Sequence, residues 1–167
     1  MSKQHPILIA SDHAGYELKQ EILSYLTGQN AEVIDLGTNS SESTDYPDYA
    51  HSLCEKITNN EASIGILICH SGIGMSIVAN RHPNIRAAVV ANAEQAALTR
   101  SHNNANVLCL GAHQMESAIA QEIVNTFIQI FNSLTTAEWH AIRLHPITVS
   151  CYVKSLLCGS NFNKNIY

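Results

Sequence analysis

The sequence predicts an α/β protein: a three-layer, doubly wound parallel sheet of five strands, Rossmann-like, with helices on both faces. Three observations lead there. Short apolar runs alternate with helix-period stretches along the chain, the pattern of right-handed strand–helix–strand units. One run, Ile64 to Cys69, is apolar almost without a break, as a strand covered on both faces should be. Polar residues able to do chemistry fall just after predicted strands, where open α/β sheets bind ligands.

Each element has its own signal. Pro6 to Ser11 reads as the first strand, followed at once by Asp12-His13-Ala14-Gly15. Leu18, Ile22, Leu23 and Leu26 repeat at helical spacing over Tyr16 to Leu26, and Gly28 is expected to stop that helix. Ala31 to Leu36 is a second strand, closed by Gly37. After a polar loop, Thr38 to Thr44, Pro47 suits the first position of a helix running to about Thr58. The central strand ends at Ser71-Gly72-Ile73-Gly74, and Met75 to Arg81 resumes as a short helix. Asn84 to Val90 reads as the fourth strand, Ala93 to His102 as a helix and Asn106 to Gly111 as the fifth strand. Ile119, Ile123, Val124, Phe127, Ile128 and Phe131 give a long amphipathic helix over Met115 to Phe131. Thr135-Thr136-Ala137-Glu138 has the form of a capping box, opening a C-terminal helix that Pro146 ends. Residues 1–146 read as one domain. Residues 147–167 have no clear period and are either a loosely held tail or an arm on a partner subunit. The apolar Val149, Tyr152, Val153, Leu156 and Leu157 favour the arm.

At 167 residues, 46% hydrophobic and 14% charged, the chain has room for one sizeable core and fits a protein that hides part of its surface in an oligomer. No run of eighteen apolar residues is present, so no membrane-spanning helix is expected. Only a few residues precede the first strand, which leaves no room for a signal peptide and makes the cytoplasm the expected location. The five cysteines, Cys54, Cys69, Cys109, Cys151 and Cys158, form no CxxC pair, and an odd count argues for reduced thiols. A net charge of −5, with nine scattered Lys and Arg, supplies no basic patch for nucleic acid. The nine histidines follow no HExxH or similar pattern, so their spacing lends a metal site no support. Several fall at strand ends or loops, where imidazoles move protons near neutral pH.

A strand, a glycine turn and a helix together make an anion site, because free N–H groups converge and the helix dipole adds partial positive charge. Cys69 sits at the end of that strand, where N–H groups and a protonated His70 would favour a thiolate able to act as base or nucleophile. A cysteine there is also commonly a buried small hydrophobe, and glycine turns often bind nothing. Three polar groups are expected to share the carboxyl edge of the sheet: Asp12-His13, Cys69 with Ser71 to Gly74, and His102-Asn103-Asn104. Acid, base and oxyanion groups of this kind suit proton abstraction beside a carbonyl, with N–H groups holding an enediolate oxygen.

These residues carry a family pattern. Ser11-Asp12-His13-Ala14-Gly15, Val33 to Thr38, Thr44 to Ala50, Gly65 to Cys69 with its glycine turn, Ile85-Arg86-Ala87 and Ser101 to Leu108 occur in the order and spacing of one family. Over about Ile7 to Phe131 the chain resembles the type B ribose-5-phosphate isomerases and the related galactose-6-phosphate isomerase subunits. The resemblance implies that Cys69 is the base, moving a proton between C2 and C1 of a sugar phosphate, while Ser71, Gly72, Ile73 and Gly74 hold the oxyanion. It implies that His102 helps open the furanose ring, that Asp12 positions sugar hydroxyls, that Asn103 contacts the sugar or the enediolate and that His13 belongs to the phosphate site. It further implies a homodimer or homotetramer with His102 and Asn103 supplied by the neighbouring subunit, and neither metal nor organic cofactor.

The chain departs from that pattern at three positions. His70 stands where the family usually has glycine, His113 where it often has arginine, and Trp139 where a C-terminal segment has a phosphate arginine, leaving Arg143. Arginine grips phosphate through a charge-assisted fork that neither neutral histidine nor tryptophan reproduces. The expected substrate is ribose 5-phosphate, held by His13, His70, His113 and Arg143. The alternatives are another sugar phosphate, such as allose 6-phosphate or galactose 6-phosphate, and a non-catalytic sugar-phosphate-binding subunit.

Overall fold

Side chains alternate between the two faces of a strand, and here both faces are apolar, so helices must cover both. The computed structural model describes residues 6–113 and 115–133 and shows that arrangement. The order is β1 (Ile7–Ser11), a 3-10 turn (His13–Gly15), α1 (Tyr16–Gly28), β2 (Val33–Asp35), α2 (Tyr46–Thr58), β3 (Ile64–Cys69), α3 (Ile73–Ala79), β4 (Ala87–Val89), α4 (Ala93–Asn103), β5 (Val107–Gly111) and α5 (Ser117–Ser133). All strand pairs are parallel, in the order β2-β1-β3-β5-β4.

Two apolar clusters follow from the alternation. Ile7 and Ile9, Ile64, Ile66 and Ile68, and Leu108 and Leu110 pack under α1 and α5 with Ile22, Ile123 and Phe127. The intervening residues, Leu8, Ala10, Leu67, Cys69, Val107 and Cys109, pack under α2 and α3 with Leu53, Cys54 and Met75. Cys69 therefore belongs to the α2/α3 side.

The chain reverses direction between β1 and β3. β1 passes to β2 on one side, and β2 crosses back over β1 to β3 on the other. The register Ser11↔Ile68 brings the carboxyl ends of β1 and β3 together, so Asp12 and Cys69 emerge at the switch point where such sheets bind ligands.

Several expected boundaries shift. β2 and β4 are only three residues each, because both are edge strands with one neighbour; short edges also deny foreign strands a template. Gly28 lies inside α1, and the left-handed residue that ends it is Asn30 (φ 60°). α3 starts at Ile73 rather than Met75, and α5 at Ser117 rather than Met115. Pro47 is the second residue of α2 behind the N-cap Asp45. The expected C-terminal helix, the tail 147–167, Trp139 and Arg143 lie outside the described residues.

Candidate active site

The turn after β3 is built around one left-handed residue. Gly72 has φ 75°, and a Cβ on it would come within 3.0 Å of the Leu110 carbonyl carbon, so conformation and space both ask for glycine. That geometry turns the Gly72 N–H back onto Cys69 Sγ at 3.1 Å. The N–H thus donates to the sulfur and fixes its position at the mouth of the turn. Ser71 Oγ accepts from the Ile73 N–H at 3.3 Å. The expected fan of free N–H groups is therefore partly spent inside the turn, while Gly74, in the first turn of α3, has no intrahelical acceptor for its N–H.

The turn after β1 lies beside it. Asp12 is buried, and its Oδ1 accepts from the Gly15 N–H at 3.0 Å, capping the 3-10 turn. A Cβ on Gly15 would meet the Ile68 carbonyl oxygen at 2.7 Å, so this glycine lets the turn press against the end of β3. The Asp12 N–H donates to the same oxygen at 3.2 Å. His13 is held by Thr44: its N–H donates to Thr44 Oγ1 at 3.2 Å, and Nδ1 lies 3.1 Å from the Thr44 oxygen and 3.2 Å from its nitrogen.

His70 and His113 meet on this edge as a stacked pair, with ring centroids 4.5 Å apart and planes inclined by 28°. Backbone bonds align them, the Ala112 N–H donating to Cys69 O at 2.8 Å and the His113 N–H to His70 O at 3.0 Å. The sequence reading missed Tyr46: its ring occupies the space a Cβ on Gly74 would need, with a nearest approach of 2.8 Å. Thr44 was missed as well, although both stand in the segment Thr44-Asp45-Tyr46 that carries the resemblance.

One expectation is overturned. His102 and Asn103 do not join Asp12 and Cys69 on the carboxyl edge of their own chain. They end α4, which runs back against the strands, so they lie beside the start of β5, whereas Cys69 pairs in register with the last residue of β5, Gly111. A five-residue strand separates the two places, roughly 13 Å at ~3.3 Å per residue.

Cys54 and Cys109 share the α2/α3 cluster with Cys69. Burial pushes the Cys54 thiol up to about 12, with the charge of Glu55 adding to it, and raises Cys109 as well. Among the described residues, no three His, Cys, Asp or Glu side chains gather where a metal ion could be held. No described helix is long and apolar enough to cross a membrane.

A family model, Ribose/Galactose Isomerase, matches residues 7–147 of this chain. The chain belongs to the ribose/galactose isomerase family. Its relatives within that family include the ribose-5-phosphate isomerase B of Escherichia coli, 43% identical over 122 residues, 73% of this chain and 82% of that one. The solved ribose-5-phosphate isomerase of Thermotoga maritima is 50% identical, covers 75% of this chain and 87% of its own, and superposes with a TM-score of 0.73. The Mycoplasma genitalium ribose-5-phosphate isomerase B, solved with bound ribulose-5-phosphate, is 33% identical over 95% of this chain and 99% of its own, with a TM-score of 0.74. The five-stranded fold is that of these isomerases, and the chain is an isomerase by its family.

Proposed function

We propose that this chain interconverts ribose 5-phosphate and ribulose 5-phosphate by proton transfer through an enediolate. The observation that carries the reading is the Cys69 thiol at the carboxyl end of β3, its sulfur accepting the Gly72 N–H at 3.1 Å beside the glycine turn. Cys69, as thiolate, takes the proton from C2 of the open-chain aldose. The electron pair moves to the C1–C2 bond, and the aldehyde oxygen becomes the enediolate oxygen. The Ser71 hydroxyl and the Gly74 N–H stabilise that charge, joined by the Gly72 and Ile73 N–H groups once they turn from Cys69 Sγ and Ser71 Oγ to the sugar. The proton on O2 passes to O1, so that the charge moves to O2. As C2=O forms, the electron pair of the C1–C2 double bond takes the proton back from the Cys69 thiol at C1, giving the ketose.

Asp12 has one carboxylate oxygen engaged by Gly15 and offers the other to sugar hydroxyls. Phosphate is held by His13, through the Nε2 that Thr44 leaves available, by the His70–His113 pair and by Arg143. His102 opens the furanose ring and Asn103 contacts the enediolate. Since both lie at the amino edge of their own sheet, a second copy must bring them to Cys69, which makes the working unit a homodimer, alone or paired into a tetramer. The outward face of α3, with Ile73 56% and Ile77 53% exposed, supports a partner surface next to the site. We place the reaction in the cytoplasm, without metal or organic cofactor.

The test is a comparison of initial rates on ribose 5-phosphate, allose 6-phosphate, galactose 6-phosphate and free ribose. Ribose 5-phosphate should give the highest kcat/KM and free ribose none. A higher kcat/KM on a hexose phosphate would move the substrate, and no turnover of any sugar by the folded protein would leave a binding subunit.

A further inference from the structure

We infer that Arg86 is a positioning residue for the neighbouring subunit's active site, acting by clamping the segment that carries His102 and Asn103. The inference rests on the proposed sharing of sites between subunits.

The clamp is visible in the bonds. The Arg86 side chain donates from Nε to the backbone oxygen of Asn103, the last residue of α4. Its own backbone N–H donates to Asn106 Oδ1 at 2.8 Å, and its carbonyl accepts the N–H groups of Asn106 at 3.0 Å and Val107 at 3.3 Å. One residue thus holds both ends of the short link from α4 to β5. The link needs holding. Asn104 sits at φ 50°, ψ 41°, a left-handed conformation that few residues with a side chain other than asparagine adopt. Asn106 Nδ2 also donates to the carbonyl of Asn84, itself at φ 63°.

The anchor of the clamp runs back to α3, the helix that follows the turn after β3. Asn80, which follows α3, donates from Nδ2 to Ala87 O and accepts the Ala87 N–H on Oδ1, both at 2.9 Å, and Nδ2 also reaches Ser76 O at 3.0 Å. Ala87 follows Arg86. Hydrogen bonds therefore connect the helix that opens at Gly72 to the helix end bearing His102 and Asn103. Asn80, Arg86 and Asn103 line a groove of about 320 Å³ on this edge. Arg86 is exposed, and packing of its own core does not depend on its side chain.

Losing the guanidinium frees the end of α4 and misplaces groups that must sit within tenths of an ångström of the sugar. Arg86→Ala should lower kcat roughly ten- to a hundredfold with little change in KM or melting temperature. Arg86→Lys, whose ammonium still donates to the Asn103 carbonyl, should retain most of the turnover.

The decisive experiment mixes subunits. Cys69→Ala and Arg86→Ala chains are co-expressed, so that a mixed dimer pairs an intact Cys69 with an intact clamp at one of its two sites. Random pairing should restore about a quarter of wild-type activity, far above either variant alone. Cys69→Ala mixed with Asn103→Ala is the reference. If the reference pair recovers activity and the Arg86 pair does not, the inference about Arg86 is overturned while shared sites stand. If neither recovers, shared sites fall and the inference with them. Full activity of Arg86→Ala alone would also overturn it.

Discussion

At the scale of single residues, three described cysteines share one face of the sheet and only one is set up for chemistry. Cys69 has an N–H pointed at its sulfur; Cys54 and Cys109 have burial that disfavours the thiolate. Treatment with iodoacetamide at neutral pH should therefore block activity in step with alkylation of Cys69, read by peptide mass spectrometry, with Cys54 and Cys109 unmodified while the protein stays folded. Burial also predicts a pH dependence of stability. A thiol raised to about 12 in the fold titrates near 8.5 in the unfolded chain, so from about pH 8.5 upward the native state keeps a proton that the unfolded state loses. Stability should be intact below that range and fall as pH rises toward 12. Melting temperatures between pH 8 and 11 should fall more steeply for the wild type than for Cys54→Ala. Parallel curves would contradict the assignment.

At the scale of elements, the loop after β2 is as important as the strands it leaves. Lys19, fully buried in the first turn of α1, reaches Asp35 Oδ2 at 2.5 Å, and Asp35 Oδ1 accepts the Gly37 N–H at 2.9 Å. Gly37 and Thr38 then continue the pairing with Ser11, which places Asp12. Asp35→Asn keeps the shape and strands a buried ammonium. Since Asp35 is 28% exposed, the loss should fall at the low end for broken buried pairs, about 3 kcal/mol in urea unfolding. A change below the error of the measurement would show that Lys19 finds another partner.

The elements were legible in the sequence because each has a strong period. The apolar run Ile64–Cys69 fixed the central strand, and Ile123 to Phe131 the last described helix. The Cys69 turn and the Asp12 turn were legible too, since both follow strands directly. The place of His102 was not, because a motif read along the chain carries no direction: a helix that follows a strand returns its own C-terminus to the opposite edge. Tyr46 and the Arg86 clamp were hidden for another reason. Each stands in a segment that carries the family pattern but acts through contacts between residues distant in sequence, which that pattern does not name.

At the scale of the molecule, sheet order and helix polarity divide the chemistry between two edges. The switch between β1 and β3 gathers Asp12, His13, Cys69 and the glycine turn, while α4 carries His102 and Asn103 to the other end. On the proposed roles, a single copy holds a base without its ring-opening partner, and a symmetric pair of copies would hold two complete sites. The central claim is that Cys69 is the base of an aldose–ketose isomerase. The most direct measurement is the conversion of ribose 5-phosphate to ribulose 5-phosphate by wild type and Cys69→Ala, with circular dichroism and sedimentation showing the same fold and assembly. Loss of the base should lower kcat by roughly a hundredfold to ten-thousandfold. Retention of a large fraction of wild-type kcat by the folded Cys69→Ala protein would contradict the account.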